Sequence, residues 1–103
     1  MSILKAVQIS NLRRTIWDRV KTFDEELPDQ FEVVAIIGSS KFVLNEILIM
    51  SDEYFVFKGE TCDHKLPVEV ICRPFDLPLT LTAQPRQAVQ ATKRLPVGFR
   101  TVR

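Results

Sequence analysis

The sequence predicts an α+β fold in which an N-terminal amphipathic helix packs on a five-stranded antiparallel sheet or small barrel, with an extended or short-helical basic C-terminal arm. Apolar residues recur at helical spacing in residues 10–27. Short apolar or alternating runs follow between residues 31 and 82, and the connections between them are too short for helical crossovers. At 103 residues with 46% hydrophobic content, the chain has the size and composition of one globular domain.

The predicted helix covers residues 10–27. Its apolar residues recur at steps of three and four and therefore share one face: Ile9, Leu12, Ile16, Val20, Phe23 and Leu27. Ser10 or Asn11 is suited to cap the start of the helix, and Pro28 ends it.

The charges of this helix oppose its dipole. Arg13 and Arg14 lie near the predicted start, whereas the acidic residues 24–26 lie at the end. The two arginines flank Trp17 and, together with Arg19, form a secondary candidate surface for binding a partner. Trp17 lies beside the apolar stripe, which favours a role at the edge of the core; an exposed Trp with neighbouring arginines is instead typical of an interface anchor.

Five strands are predicted, at residues 31–37, 42–50, 54–58, 68–73 and 77–82. The fourth alternates, with one face formed by Val68, Val70 and Cys72 and the other by Glu69, Ile71 and Arg73. Asn45 and Glu46 interrupt the second strand, and a polar loop over residues 59–65 joins the third strand to the fourth. Pro78 indicates that the fifth strand lies at a sheet edge. The first three strands are apolar on both faces, and one helix covers only part of that surface. The remainder must close into a barrel or meet another chain.

The charge of the chain divides after Asp76, its last acidic residue. The residues through Asp76 hold nine Lys or Arg against thirteen Asp or Glu, a net charge of −4, and the remainder carries five positive charges and no acidic residue. This asymmetry predicts a single α+β domain over residues 1–82 and a basic C-terminal arm over residues 83–103. The predicted binding residues of the arm are Arg86, Lys93, Arg94, Phe99, Arg100 and Arg103.

Three kinds of surface fit a basic arm of this composition. Nucleic-acid phosphates would be neutralised by the Arg and Lys side chains, while Phe99 stacks on a base. An acidic protein surface is the second alternative. The third is the arm's own domain or an adjacent subunit, at the acidic residues 24–29.

The residue pattern predicts neither catalysis nor a bound metal or cofactor. Cys62, His64 and Cys72 supply three soft ligands, one fewer than a structural zinc site needs, and they lack its paired spacing. Three glycines in the whole chain leave no Gly-rich phosphate loop. Two cysteines do not make a disulfide framework, which predicts a reducing, cytoplasmic location. No apolar run reaches the roughly 18 residues that cross a membrane.

The order of elements resembles the Sm-like fold of RNA-binding ring proteins. Residues 44–57 (LNEILIMSDEYFVF) are similar in spacing to the family's second strand, Asp-containing turn and third strand, and residues 68–74 (VEVICRP) to its fourth strand. Asn45 and Glu46 stand where the family has a glycine, and none of its RNA-contacting motifs is matched. The resemblance, which spans about residues 10–82, therefore implies a layout and assigns no site residue.

These observations together predict a non-catalytic intracellular binding or assembly module. It would use its apolar sheet surface and basic arm to contact a protein partner or its own copies. The alternative is a small RNA- or DNA-binding protein of Sm-like layout, with phosphates contacted by Arg86, Lys93, Arg94 and Arg100.

Overall fold

The computed structural model describes residues 3–50, 54–73, 78–86 and 93–101, with only the backbone described for residues 3–10. Within these ranges the elements are helix α1 (Ile3–Glu26) and strands β1 (Phe31–Ile37), β2 (Ser40–Ile49), β3 (Phe55–Thr61), β4 (Pro67–Cys72), β5 (Leu79–Pro85) and β6 (Gly98–Thr101). The predicted α+β architecture, one N-terminal helix packed with an open sheet, is confirmed.

The sheet has the strand order β4-β3-β2-β1-β5, and all of these neighbours are antiparallel. One edge of β2 is shared, because β1 pairs with its first half and β6 runs parallel to its second half, from Glu46 to Ile49. Strand β6 was not predicted, since four residues beginning with glycine show no strand alternation. The fifth strand was predicted to end at residue 82, whereas β5 continues to Pro85.

Helix α1 packs through its C-terminal half. Val20 is fully buried, and Ile16, Phe23 and Leu27 are partly buried against the same core. The predicted start was wrong, because the helix begins at Ile3 instead of residue 10. Residues 3–9 contain neither Gly nor Pro, so nothing in them interrupts the helix, and the predicted caps lie inside it.

The earlier start changes the position of two charges. Arg13 and Arg14 lie about three turns into α1 and not in its first turn, where they would oppose the helix dipole. The acidic residues 24–26 do lie in the last turn, which contains no basic residue. The unfavourable charge placement is therefore confined to the C-terminal end of the helix.

The interruption predicted at Asn45 is a β-bulge, where the pairing of β2 with β3 shifts between Leu44 and Glu46. The loop predicted over residues 59–65 was wrong in its first part, because β3 continues through Thr61 and only residues 62–64 form the turn. Gly59 pairs with Leu44 beside the bulge. A Cβ at Gly59 would overlap the carbonyl oxygen of Val43. The backbones of β3 and β2 therefore approach each other here more closely than any residue other than glycine permits.

The core lies between α1 and one face of the sheet. Its largest fully buried side chains include Phe42, Phe55 and Phe57. The predicted alternation of β4 is confirmed, since its core-facing residues are partly buried and its outer residues are exposed. The predicted edge position of β5 is also confirmed.

The second face of the sheet is partly closed by the turn between β3 and β4. The Lys65 Nζ lies 2.9 Å from the Glu32 carboxylate on β1, which also accepts a 2.7 Å hydrogen bond from Gln84 on β5. The Gln84 amide lies 3.5 Å from the carbonyl oxygen of Cys62 in the turn. These contacts bring the hairpin across the second face, where Val34 is fully buried.

Candidate functional site

The C-terminal segment (residues 93–101) lies against the acidic end of α1. Arg94 forms an ion pair with Asp24, and the exposed fractions of the two side chains are 11% and 8%. The same guanidinium donates hydrogen bonds to the carbonyl oxygens of Asp24, at 2.9 Å, and Leu27, at 3.2 Å. Because the last carbonyls of a helix have no partner within it, Arg94 both caps α1 and offsets its misplaced negative charge.

Asp24 also holds the next part of the segment. Its second carboxylate oxygen accepts a 2.9 Å hydrogen bond from the backbone N–H of Val97. The Val97 side chain is buried in the core beside Val20 and the sheet. One buried carboxylate therefore fixes both a charged and an apolar residue of the segment.

Beyond Val97, strand β6 brings the predicted arm residue Phe99 against Trp17 of the predicted helix surface. The ring of Phe99 packs on that of Trp17, with centroids 4.5 Å apart at an interplanar angle of 32°. The Lys21 Nζ lies 5.9 Å from the centre of the Trp17 ring. Both aromatic residues are partly buried, so this pair joins α1 to the segment at the edge of the core. No sequence signal links positions 17 and 99, because their contact depends on the pairing of β6 with β2.

The remaining predicted arm residues occupy three kinds of position. Arg86 donates from its backbone to the carbonyl oxygen of Gln30 and from its guanidinium to that of Asp29, both at 2.9 Å. Arg100 pairs with Glu46 while 63% of its side chain stays exposed. Lys93 is exposed, and Arg103 lies outside the described residues, as do residues 87–92 of the predicted arm.

The predicted surface on α1 is divided in the same way. Arg14 and Arg19 are exposed, whereas Arg13 and Trp17 are half-buried. The ion pair of Arg94 with Asp24 lies among the acidic residues 24–29 of the third alternative, whereas the contacts described for Arg86 are to the backbone carbonyl oxygens of Asp29 and Gln30. That these basic residues bind a partner stays a prediction.

Cys62 and His64, which were considered as metal ligands, lie in the turn between β3 and β4. The backbone N–H of His64 donates a 2.8 Å hydrogen bond to Asp63, and this bond lowers the pKa of that exposed carboxyl below its usual value. Cys62 and Cys72 are half-buried and are not joined in a disulfide. Within the described residues, no group of three or more His, Cys, Asp or Glu side chains is placed to hold a metal ion.

Phe99→Ala is expected to loosen the C-terminal segment and to lower the free energy of unfolding by about 2 kcal/mol, because it removes a partly buried ring and its contact with Trp17. Trp17 is the single tryptophan of the chain, so its fluorescence reports on this contact directly. We expect emission at longer wavelength in the variant as water reaches the indole. Leu95→Ala is the matched control, since Leu95 lies in the same segment and is 87% exposed. Equal emission from both variants would contradict the assigned contact.

Comparison with known proteins adds no functional information to this geometry. No protein-family model, curated protein or solved structure matches the chain. In the part of the chain that the structure describes, no helix combines the length and apolar content needed to cross a membrane. The contacts within the fold are therefore the basis for any functional argument.

Proposed function

We propose that this chain is a small, non-catalytic intracellular assembly module that binds a second copy of itself through strand β4. One observation carries the proposal: Ile71, near the C-terminal end of this edge strand, is 64% exposed. Leu66, just before the strand, is 57% exposed. Cys62 and Cys72 are not joined in a disulfide, which suits a reducing intracellular location.

An edge strand presents backbone N–H and C=O groups that can pair with another strand, and proteins usually protect such edges with charge or proline. In β4 that protection is limited to Pro67 at its first position and Glu69, which pairs with Lys58. The outward side chain of Ile71 adds apolar surface to these backbone groups. A second strand laid along β4 would cover both.

A second copy of the chain is the proposed partner of strand β4, because the sheet of each copy has edge strands that can pair with it. The sheet ends in β4 on one side and β5 on the other, and neither strand has an outer neighbour among the described residues. The exposed outer residue Thr80 leaves the edge of β5 uncharged at that point. Each copy thus offers two open edges to its neighbours, and repeated pairing would give either a closed dimer or a ring.

In this proposal the exposed basic residues support the contact without determining it. Lys93 and Arg100 remain exposed, whereas the Arg94 guanidinium is engaged by Asp24. Exposed ion pairs contribute about 0–1 kcal/mol each and weaken with salt. We therefore expect assembly to depend mainly on the β4 edge and only slightly on ionic strength.

Ile71→Lys is expected to weaken self-association at least about tenfold, because it replaces the exposed apolar side chain of β4 with a charge that edge pairing would have to desolvate. Sedimentation equilibrium over a range of concentrations measures this directly. The free energy of unfolding of the monomer should change by no more than about 0.5 kcal/mol, since the substitution lies on the surface.

Thr80→Lys on β5 separates the two modes of assembly. A two-fold dimer that pairs β4 with β4 would keep its affinity in this variant, whereas pairing of β4 with β5 would be weakened by either substitution. A wild-type chain that stays strictly monomeric at high concentration, or an Ile71→Lys chain that associates like the wild type, would show that the proposed function is wrong.

A further inference from the structure

A cavity of about 320 Å³ lies between the C-terminal segment and the sheet, close to the β-bulge. It brings together three of the basic residues that the sequence analysis selected. Its lining consists of Glu32, Val33, Val43, Leu44, Asn45, Arg86, Lys93, Arg94, Leu95 and Val97. The volume is at the lower end of the range for small-molecule sites, which is roughly 300–1,000 Å³.

The lining carries an excess of positive charge. It holds three basic residues and a single acidic one, Glu32. The Glu32 carboxylate is already engaged by Lys65, at 2.9 Å, and by Gln84, at 2.7 Å. Arg94 is offset by Asp24 as Glu32 is by Lys65, so Arg86 and Lys93 supply the positive charge of the lining. Two positive charges match a phosphate monoester, which carries about −1.5 to −2 at neutral pH.

One hydrogen-bond donor of the lining residue Arg94 is left unused. Its two terminal nitrogens are engaged by Asp24 and Leu27, but its Nε is buried and finds no hydrogen-bond partner among the described residues. Buried unsatisfied donors are rare in native proteins and indicate a missing water, ion or ligand. The free donor belongs to a residue that lines the positively charged cavity.

We propose that this cavity binds a phosphate group. Arg86 and Lys93 supply the charge, the Asn45 amide supplies a directional hydrogen bond, and Leu95 provides an apolar wall for a small organic group attached to the phosphate. The Arg94 Nε is sealed from solvent and joins them only if its side chain shifts when the ligand binds. The site is separate from strand β4, so it adds a ligand to the proposed assembly function and does not depend on it.

The proposal is tested by titrating the full chain with inorganic phosphate and with uridine monophosphate, using calorimetry or amide chemical shifts. Lys93→Gln is expected to weaken binding about tenfold, because it removes one charge-assisted contact. Asn45→Asp, which places a carboxylate in the lining, should abolish binding. Lys41→Gln is the matched control: it also removes one exposed lysine, but from outside the cavity, and should leave the affinity unchanged.

Two sources of the phosphate group are distinguished by adding a uridine hexanucleotide as a third probe. A small-molecule site binds the monophosphate at least as tightly as the hexanucleotide. A site for an RNA backbone binds the hexanucleotide more tightly, with an affinity that falls steeply as salt is added. Either result supports the proposal if Lys93→Gln weakens it and Lys41→Gln does not.

Three outcomes would overturn the proposal: no binding of any probe at millimolar concentration, equal losses in Lys93→Gln and Lys41→Gln, or unchanged binding in Asn45→Asp. The same titrations in Ile71→Lys separate this test from that of the assembly function. Both proposals expect this variant to lose self-association and to keep its phosphate binding. Unchanged self-association would contradict the assembly function alone, and loss of phosphate binding would contradict a site separate from β4.

Discussion

Asp24→Ala is expected to lower the free energy of unfolding by about 3–5 kcal/mol, the usual cost of removing one partner of a buried ion pair. Two losses combine in this variant. The Arg94 guanidinium is left buried without its counter-charge, and the N–H of Val97 loses its acceptor. Urea unfolding followed by far-ultraviolet circular dichroism measures the change.

Three companion variants identify the origin of the loss. Glu25→Ala removes the neighbouring exposed carboxylate, whose pairing with Lys21 is only a 4.0 Å surface contact, and should cost less than about 1 kcal/mol. Asp24→Asn keeps an acceptor for Val97 and should be intermediate. The double variant Asp24→Leu, Arg94→Met should recover much of the stability, because it leaves no buried charge unpaired.

The same substitution connects stability to the position of the C-terminal segment. If Asp24 holds the segment on α1, Asp24→Ala should shift the emission of Trp17 to longer wavelength under native conditions, as Phe99→Ala does. Asp24→Ala variants with wild-type stability and wild-type emission would rule out this role for the carboxylate. Native emission in a destabilised variant would instead limit its role to stability.

Patterns within one element were predictable from the sequence because their cause is local. The alternation of β4 and the edge position of β5 follow from side-chain period and from proline placement, and both are confirmed. The face of α1 that packs on the core also follows from spacing, through Val20. The start of the helix could not be predicted in this way. Ser and Asn are favoured at helix caps but also occur inside helices, as Ser10 and Asn11 do here.

The contacts of the candidate site were not predictable because they join residues that are distant in the chain. Asp24 and Arg94 are separated by 70 positions, so nothing in the sequence connects the acidic end of the helix with the basic segment. In the fold the two groups of opposite charge lie together and offset each other. The contact of Trp17 with Phe99 likewise requires β6, and a strand of four residues is too short to be predicted from its sequence pattern.

Gly59 shows the same limit within the sheet. In the sequence it marks the beginning of a polar loop, because glycine and charged residues follow a short apolar run. In the fold it is a strand residue that pairs with Leu44, beside the bulge on the neighbouring strand. The need for glycine arises from this pairing. The close approach of two backbones, and not a turn, explains why the position is glycine.

Gly59→Ala is accordingly expected to lower the free energy of unfolding by more than about 3 kcal/mol, or to prevent folding. The added Cβ would overlap the carbonyl oxygen of Val43 and would lie 3.0 Å from the ring of Phe42, which is fully buried. Backbone on one side and a packed core ring on the other leave no flexible group to move aside. The overlap is therefore relieved only if β3 separates from β2 beside the bulge.

Gly98→Ala is the matched control for this effect. It also adds a methyl group to a strand glycine, but the nearest atom to the new Cβ is the Glu46 Cγ at 3.4 Å, an ordinary van der Waals contact with a flexible side chain. We expect a change of less than about 1 kcal/mol, of either sign. Thermal or urea unfolding of the two variants measures the difference. Similar stabilities would mean that the strands at Gly59 can separate without cost, which contradicts the requirement for glycine inferred from their close approach.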